Sequence, residues 1–172
     1  MTVRRVVLLG EEVLRTPTTE IESFREETQS LIQDLFDTMY DAEGIGIAAP
    51  QIGVSLRVCV MDLTRPDDSE SQRLTLINPV MLESSKAVEK ATEGCLSIPG
   101  MEEVVKRASR IVVRAQDELG RTFDLEAEGL LSRVIQHEVD HLDGILFFDR
   151  ITPLKRKFAL NKWKKNQEEE PV

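Results

Sequence analysis

Apolar residues follow two rhythms in this chain, one near 3.6 residues and one near two. Leu31, Ile32, Leu35, Phe36, Met39 and Tyr40 recur at helical spacing, which predicts a helix from about Phe24 to Tyr40. Ser23 followed by Glu26 makes a capping-box pattern at its start. Leu130, Leu131, Val134, Ile135, Val139 and Leu142 predict a second helix over Leu130 to Leu142. Pro153 suits the first turn of a last helix, and GEEVLRTP reads as a short one that must stop before Pro17.

Between the long helices lie LRVCVMD, LTLINPVML, VVKR, RIVVRAQD and RTFDLEAE, short, β-branched and often alternating, as strands do. The last two read as a hairpin turning at Glu118 to Gly120. TRPDDSESQ is a surface loop. No repeat or linker divides the chain, so residues 1–172 are expected to form a single domain, with a basic C-terminal helix and acidic tail from about 153. The expected class is α+β: mostly antiparallel sheets around a central helix, with helices near both ends.

Composition narrows the function. With 41% apolar and 31% charged residues, the chain belongs with folded globular proteins. No apolar run approaches the ~20 residues that cross a bilayer. MTVRRVVLLGEEVL lacks the apolar length and cleavage site of a secretory signal, so a cytoplasmic chain beginning near Met1 is expected. The net charge of -9 argues against binding nucleic acid with the whole surface. Locally the sign reverses: Ile151 to Gln167 holds six basic residues and no acidic one, before acidity returns at Glu168 to Glu170. Cys59 sits in an apolar strand and reads as buried and inert. Cys95 lies in TEGCLSIPG, a Gly- and Pro-bounded loop, and a disulfide between the two is disfavoured in a reducing compartment.

Both histidines fall in QHEVDHLDG, Gln136 to Gly144, four positions apart. On a helix, His137 and His141 share one face and can aim at one cation. Glu138 lies about 100° further round, able to reach an attacking water without ligating the metal. Short HExxH patterns also arise by chance, as helix-face histidines that merely pack or cap. The third ligand decides the class. A metzincin continuation would place histidine where Phe147 stands, and the only glutamates after His141 are in the tail. Cys95 is the remaining soft ligand, and one Cys with two His leaves a coordination position open, the catalytic pattern. A closed structural site would need Cys59 as the fourth ligand, against its strand context.

Three separated strings then resemble one family. GIGIAAPQ (Gly44 to Gln51), EGCLS (Glu93 to Ser97) and QHEVDH (Gln136 to His141) are similar, in order and separation, to the three motifs of peptide deformylases. Those enzymes remove the formyl group from the initiator formyl-methionine of nascent bacterial proteins. The resemblance runs from about Val6 to Leu154. It implies Cys95, His137 and His141 as ligands of one divalent metal, Fe2+ in the cell, with Zn2+, Ni2+ or Co2+ able to take its place. It implies Glu138 as general base and acid. Gln51 and the backbone N–H of Leu96 become oxyanion donors. Gly44, Ile45 and Gly46 become a wall that pairs with an extended peptide, and Ile45, Leu130 and Val134 a methionine pocket. From the residues alone, Gln51 reads equally as an ordinary loop amide, and the apolar three read equally as core.

Asp140 reads as a solvated helix acid or as a partner behind the metal ligands. Glu102 stands where some relatives place an arginine near the peptide path, which bears on sequence preference beyond methionine. The basic end looks like the helix that docks some bacterial relatives on the ribosome; alternatively it is a solvated helix packing its apolar side. A true peptidase and a binding protein that has lost turnover remain competing readings. A monomer and no membrane association are expected.

Overall fold

The computed structural model describes residues 2–169, so Met1 and Glu170 of the acidic tail lie outside the described residues. A 3-10 turn at Glu12–Arg15 precedes α1 (Glu26–Asp41). Strands follow at β1 (Gly46–Ala48), β2 (Val58–Asp62), β3 (Arg73–Ser84), β4 (Val88–Cys95), β5 (Ile98–Ala108), β6 (Arg110–Gln116) and β7 (Thr122–Glu128). Helices α2 (Gly129–Leu142) and α3 (Pro153–Glu169) complete the α+β chain.

Five strands form an antiparallel sheet in the order β1-β2-β3-β6-β7, and β4 and β5 form a separate hairpin. The sheet is covered on both faces. Ala48, Cys59, Leu76 and Val113 meet Val134, Ile135, Val139 and Leu142 of α2. On the other face, Ile47, Val58, Val60 and Ile77 meet Ile32, Leu35, Phe36 and Met39 of α1. This double cover explains why VCVM in β2 does not alternate: all four residues are buried. A third cluster joins Ile98, Met101 and Val105 of β5 to Phe147, Phe148 and Ala159. Among the described residues no helix is long and apolar enough to cross a membrane.

Three expectations change. The capping box does not form: α1 starts at Glu26, its N-cap Arg25 makes no side-chain cap bond, and Thr28 Oγ1 donates to Ser23 O at 2.6 Å. Phe24 is drawn instead against the core below α1 and against Gly120, which keeps the chain extended past Ser23. Cys95 is not in a free loop but ends β4, paired with Ile98 across a two-residue turn. VVKR lies in the second half of an eleven-residue strand. Its partner AVEKATE shows no apolar rhythm because β4 is exposed along almost its whole length and is held by backbone pairing.

Asn78 marks the kink in β3. Its φ of 51° is left-handed, a region Asn tolerates better than most residues, and the register with β6 shifts beside it. Its amide oxygen accepts from Ile21 N at 2.8 Å, and its nitrogen donates to Ile21 O and Gln116 Oε1, both at 2.8 Å. Asn78→Ala loses these bonds and the conformational fit together. It should lower unfolding free energy by about 2–4 kcal/mol, read as a shift of the urea midpoint; a shift under about 0.5 kcal/mol would contradict this account.

Candidate metal centre

Helix α2 is locked in place at both ends of its histidine pair. Gln136 Nε2 donates to Ala108 O at 2.9 Å while its Oε1 accepts from Ala108 N at 3.1 Å, tying α2 to the end of β5. At the C-terminus, Gly144 N donates to His141 O at 3.2 Å and Ile145 N to Asp140 O at 2.9 Å, the paired bonds of a Schellman stop. Gly144 has φ 74°, and a Cβ there would lie 2.7 Å from Arg15 O, so the position is closed to other residues. Its glycine therefore ends a helix rather than extending a three-histidine motif. Phe147, where such a motif would need its last ligand, is buried and stacks near His137 at 6.1 Å between centroids.

The β4–β5 turn brings Cys95 to this helix. The ligand atoms of Cys95, His137 and His141 all lie within 4.8 Å of one another. Cys95 Sγ is 3.3 Å from His141 Nε2. A cation bound tetrahedrally at ~2.0–2.3 Å would hold its donors roughly 3.5 Å apart, so the spacing fits a shared ion. His137 turns Nδ1 to Glu93 Oε1 at 2.9 Å, which leaves its other nitrogen for the cluster. Burial holds His141 neutral, the form that ligates. Burial also disfavours charge on His137, but hydrogen bonds to Cys95 and Glu93 outweigh it and push its pKa up to about 10. Cys59 lies apart, fully buried in β2, and both cysteines are free thiols.

Glu138 is 4% exposed, and its Oε2 has no hydrogen-bond partner. Burial, reinforced by Glu93, pushes its carboxyl up to about 7. A Cβ at Gly46 would lie 2.8 Å from Glu138 Oε1, so glycine there makes room for the carboxylate. Gln51 is held by its own turn: Oε1 accepts from Ala48 N at 3.0 Å, and Nε2 points to Cys95 Sγ at 3.5 Å and Ser97 Oγ at 3.2 Å.

These side chains line one cleft of about 310 Å³. Gly44, Ile45 and Gly46 form one wall, Thr92 to Leu96 the other, and Leu130, Val134, His137 and Glu138 the floor. Ile45 and Leu130 are 47% and 51% exposed, so neither is core, whereas Val134 belongs to the core below α2 and also lines the cleft. Asp140 faces away from the cleft and touches no ligand; it binds Arg107 Nη1 at 2.6 Å and Arg150 Nη2 at 2.7 Å.

Comparison with known proteins agrees with this geometry. The family model described as polypeptide deformylase matches residues 3–157. A peptide deformylase of Acidobacterium capsulatum is 43% identical over 97% of this chain and 97% of its own. One from Aquifex aeolicus is 44% identical over 95% and 96%. The crystal structure of a Legionella pneumophila peptide deformylase superposes with a TM-score of 0.88, at 44% identity, covering 97% of this chain and 96% of the other. The chain belongs to the polypeptide deformylase family. A structure from Synechococcus elongatus in complex with actinonin is similar at TM-score 0.84 and 42% identity, over 92% and 85% of the two chains. As a deformylase the chain is a hydrolase, and Cys95, His137 and His141 are its metal-site candidate.

Sequence reading of this deformylase missed the network of charged residues around Glu93. Glu93 accepts four hydrogen bonds: Arg107 Nε and Nη2 at 2.9 Å each, Arg133 Nη1 at 2.6 Å and His137 Nδ1 at 2.9 Å. Burial would raise its pKa, but the bonds from His137 and Arg107 hold it well below the usual carboxylate range. Arg133, one helical turn before His137, was the legible hint, since a charged residue there stands beside the metal face; Arg107 in VVKR gave none. Arg107→Leu removes a buried cation between two buried carboxylates and should cost about 3 kcal/mol or more of stability. Chemical denaturation checks it, and a loss below about 1 kcal/mol would mean that the network is solvated.

Proposed function

We propose that the chain hydrolyses the formamide of formyl-methionyl peptides at the N-terminus of newly made proteins. The observation that supports this most is the meeting of three metal-ligating atoms within 4.8 Å, two of them from residues that line an open cleft together with a buried carboxylate. Cys95, His137 and His141 would hold one divalent ion, iron in the cell and zinc, nickel or cobalt by replacement, which supplies Lewis acidity.

The other steps belong to the chain. Glu138, near neutral in pKa, takes a proton from the attacking water as its oxygen adds to the formyl carbon. Gln51 Nε2 and the Leu96 N–H donate to the oxyanion that develops. Glu138 then returns the proton to the nitrogen as the C–N bond breaks, giving formate and a free amine. The outer edge of β1, unpaired in the sheet, takes the extended peptide along Gly44 to Gly46. Ile45, Leu130 and Val134 receive the methionine side chain. Glu102, exposed on β5 with Cγ 3.8 Å from where a Gly94 Cβ would stand, borders the outgoing peptide and tunes preference beyond methionine.

The basic helix α3 supplies the partner surface. Ala159, Leu160 and Trp163 turn inward, with Trp163 Nε1 donating to Pro99 O at 2.9 Å. Leu154 and Phe158 are 64% and 65% exposed among the lysines, so this apolar pair does not pack on the body. The exposed lysines around that pair support a salt-sensitive ribosome contact; the enzyme is proposed to be a cytoplasmic monomer.

Formate release from a formyl-methionyl peptide, with no cleavage of internal peptide bonds, tests the reading; absence of formate overturns it. Glu138→Gln should cut kcat about 10²–10⁴-fold while keeping the metal, and Cys95→Ser should lose the metal, as elemental analysis shows. Because Trp163 is anchored, reversing Lys155, Lys157, Lys164 and Lys165 to Glu is the informative change in α3. Ribosome co-sedimentation at low salt should fall about tenfold or more, and unchanged binding removes the docking role.

A further inference from the structure

We propose that Arg150 is a remote positioning residue for the metal centre, acting on His137 through Asp140, Arg107 and Glu93. The inference deepens the metal-site reading above and rests on it. The contacts are continuous and short. Arg150 Nη2 and Nε hold Asp140 Oδ1 and Oδ2 at 2.7 and 3.0 Å. Asp140 Oδ2 accepts from Arg107 Nη1 at 2.6 Å, and Arg107 grips both oxygens of Glu93 at 2.9 Å. Glu93 Oε1 then accepts from His137 Nδ1 at 2.9 Å.

Every member between the two ends is at most 7% exposed, so water cannot substitute for a lost partner. A planar guanidinium bound to two carboxylates cannot turn toward one without leaving the other, so orientation passes along the chain. The two imidazoles are not equivalent here. His137 is anchored through its outer nitrogen, whereas His141 Nδ1 is buried without a partner. Arg150 sits at the accessible end, its side chain 46% exposed, in the 3-10 turn Phe147–Arg150 that leads into α3.

The test uses the full chain, stripped of metal and titrated with Co2+. Glu93→Gln should weaken Co2+ binding about 10–100-fold. Arg107→Lys and Arg150→Gln should weaken it about 3–10-fold and shift or broaden the His137 Nδ1–H proton resonance. Arg114→Gln, which breaks an exposed pair with Asp124 on the far hairpin, serves as control and should change neither. A merely structural pair would lower Tm and leave Co2+ affinity alone. Arg150→Gln with affinity within twofold of the parent and an unmoved resonance overturns the proposal. It removes only an exposed guanidinium, so it remains decisive if Arg107→Lys fails to fold. A parent chain that takes up no Co2+ overturns the metal reading itself, and this inference with it.

Discussion

The hydrogen bond from His137 Nδ1 to Glu93 ties the two halves of the site together. His137 rides on α2, inside the larger sheet's core, while Glu93 and Cys95 ride on β4, which pairs with β5 outside that sheet. β5 packs an apolar face on Phe147 and Phe148, but β4, exposed along most of its length, has little apolar surface of its own to set its position. The buried carboxylate, fastened by Arg107 from β5 and Arg133 from α2, supplies that position with directional bonds. Two residues later the chain delivers a sulfur to the histidines.

Burying such a network is costly unless every member is paired, and here Glu93 uses four acceptor sites and Arg107 spans two acids. The same burial keeps Glu138 close to neutral pKa, because among the described residues no cation contacts its carboxylate while Arg107 contacts Glu93 twice and Arg133 once. Two glutamates within one site thus differ in chemistry through their neighbours alone. The cleft opens where β1 and β4 each present an unpaired edge, so the backbone itself offers the surface on which an extended chain can lie.

Helices α1 and α2 and the β6–β7 hairpin were legible because each has one buried face, and burial writes a period into the sequence. His137, Glu138 and His141 were legible because helical spacing is local, and Cys95 because so few soft ligands compete with it. The strand β4 was not legible, since an exposed strand needs no apolar rhythm. Nor was the capping of α1, because Phe24 is bound by long-range packing that outweighs a local cap.

What the amino-acid order determined by itself is whatever depends on neighbours within a helical turn or a strand pair: the histidine face and the hairpin at Gly120. Only the tertiary structure decided that Asp140 holds Arg107 rather than a ligand, that Ile45 and Leu130 face the cleft, and that Glu93 is the hub. These contacts join residues separated by many positions, and a charged side chain carries no local sign of which buried partner will satisfy it.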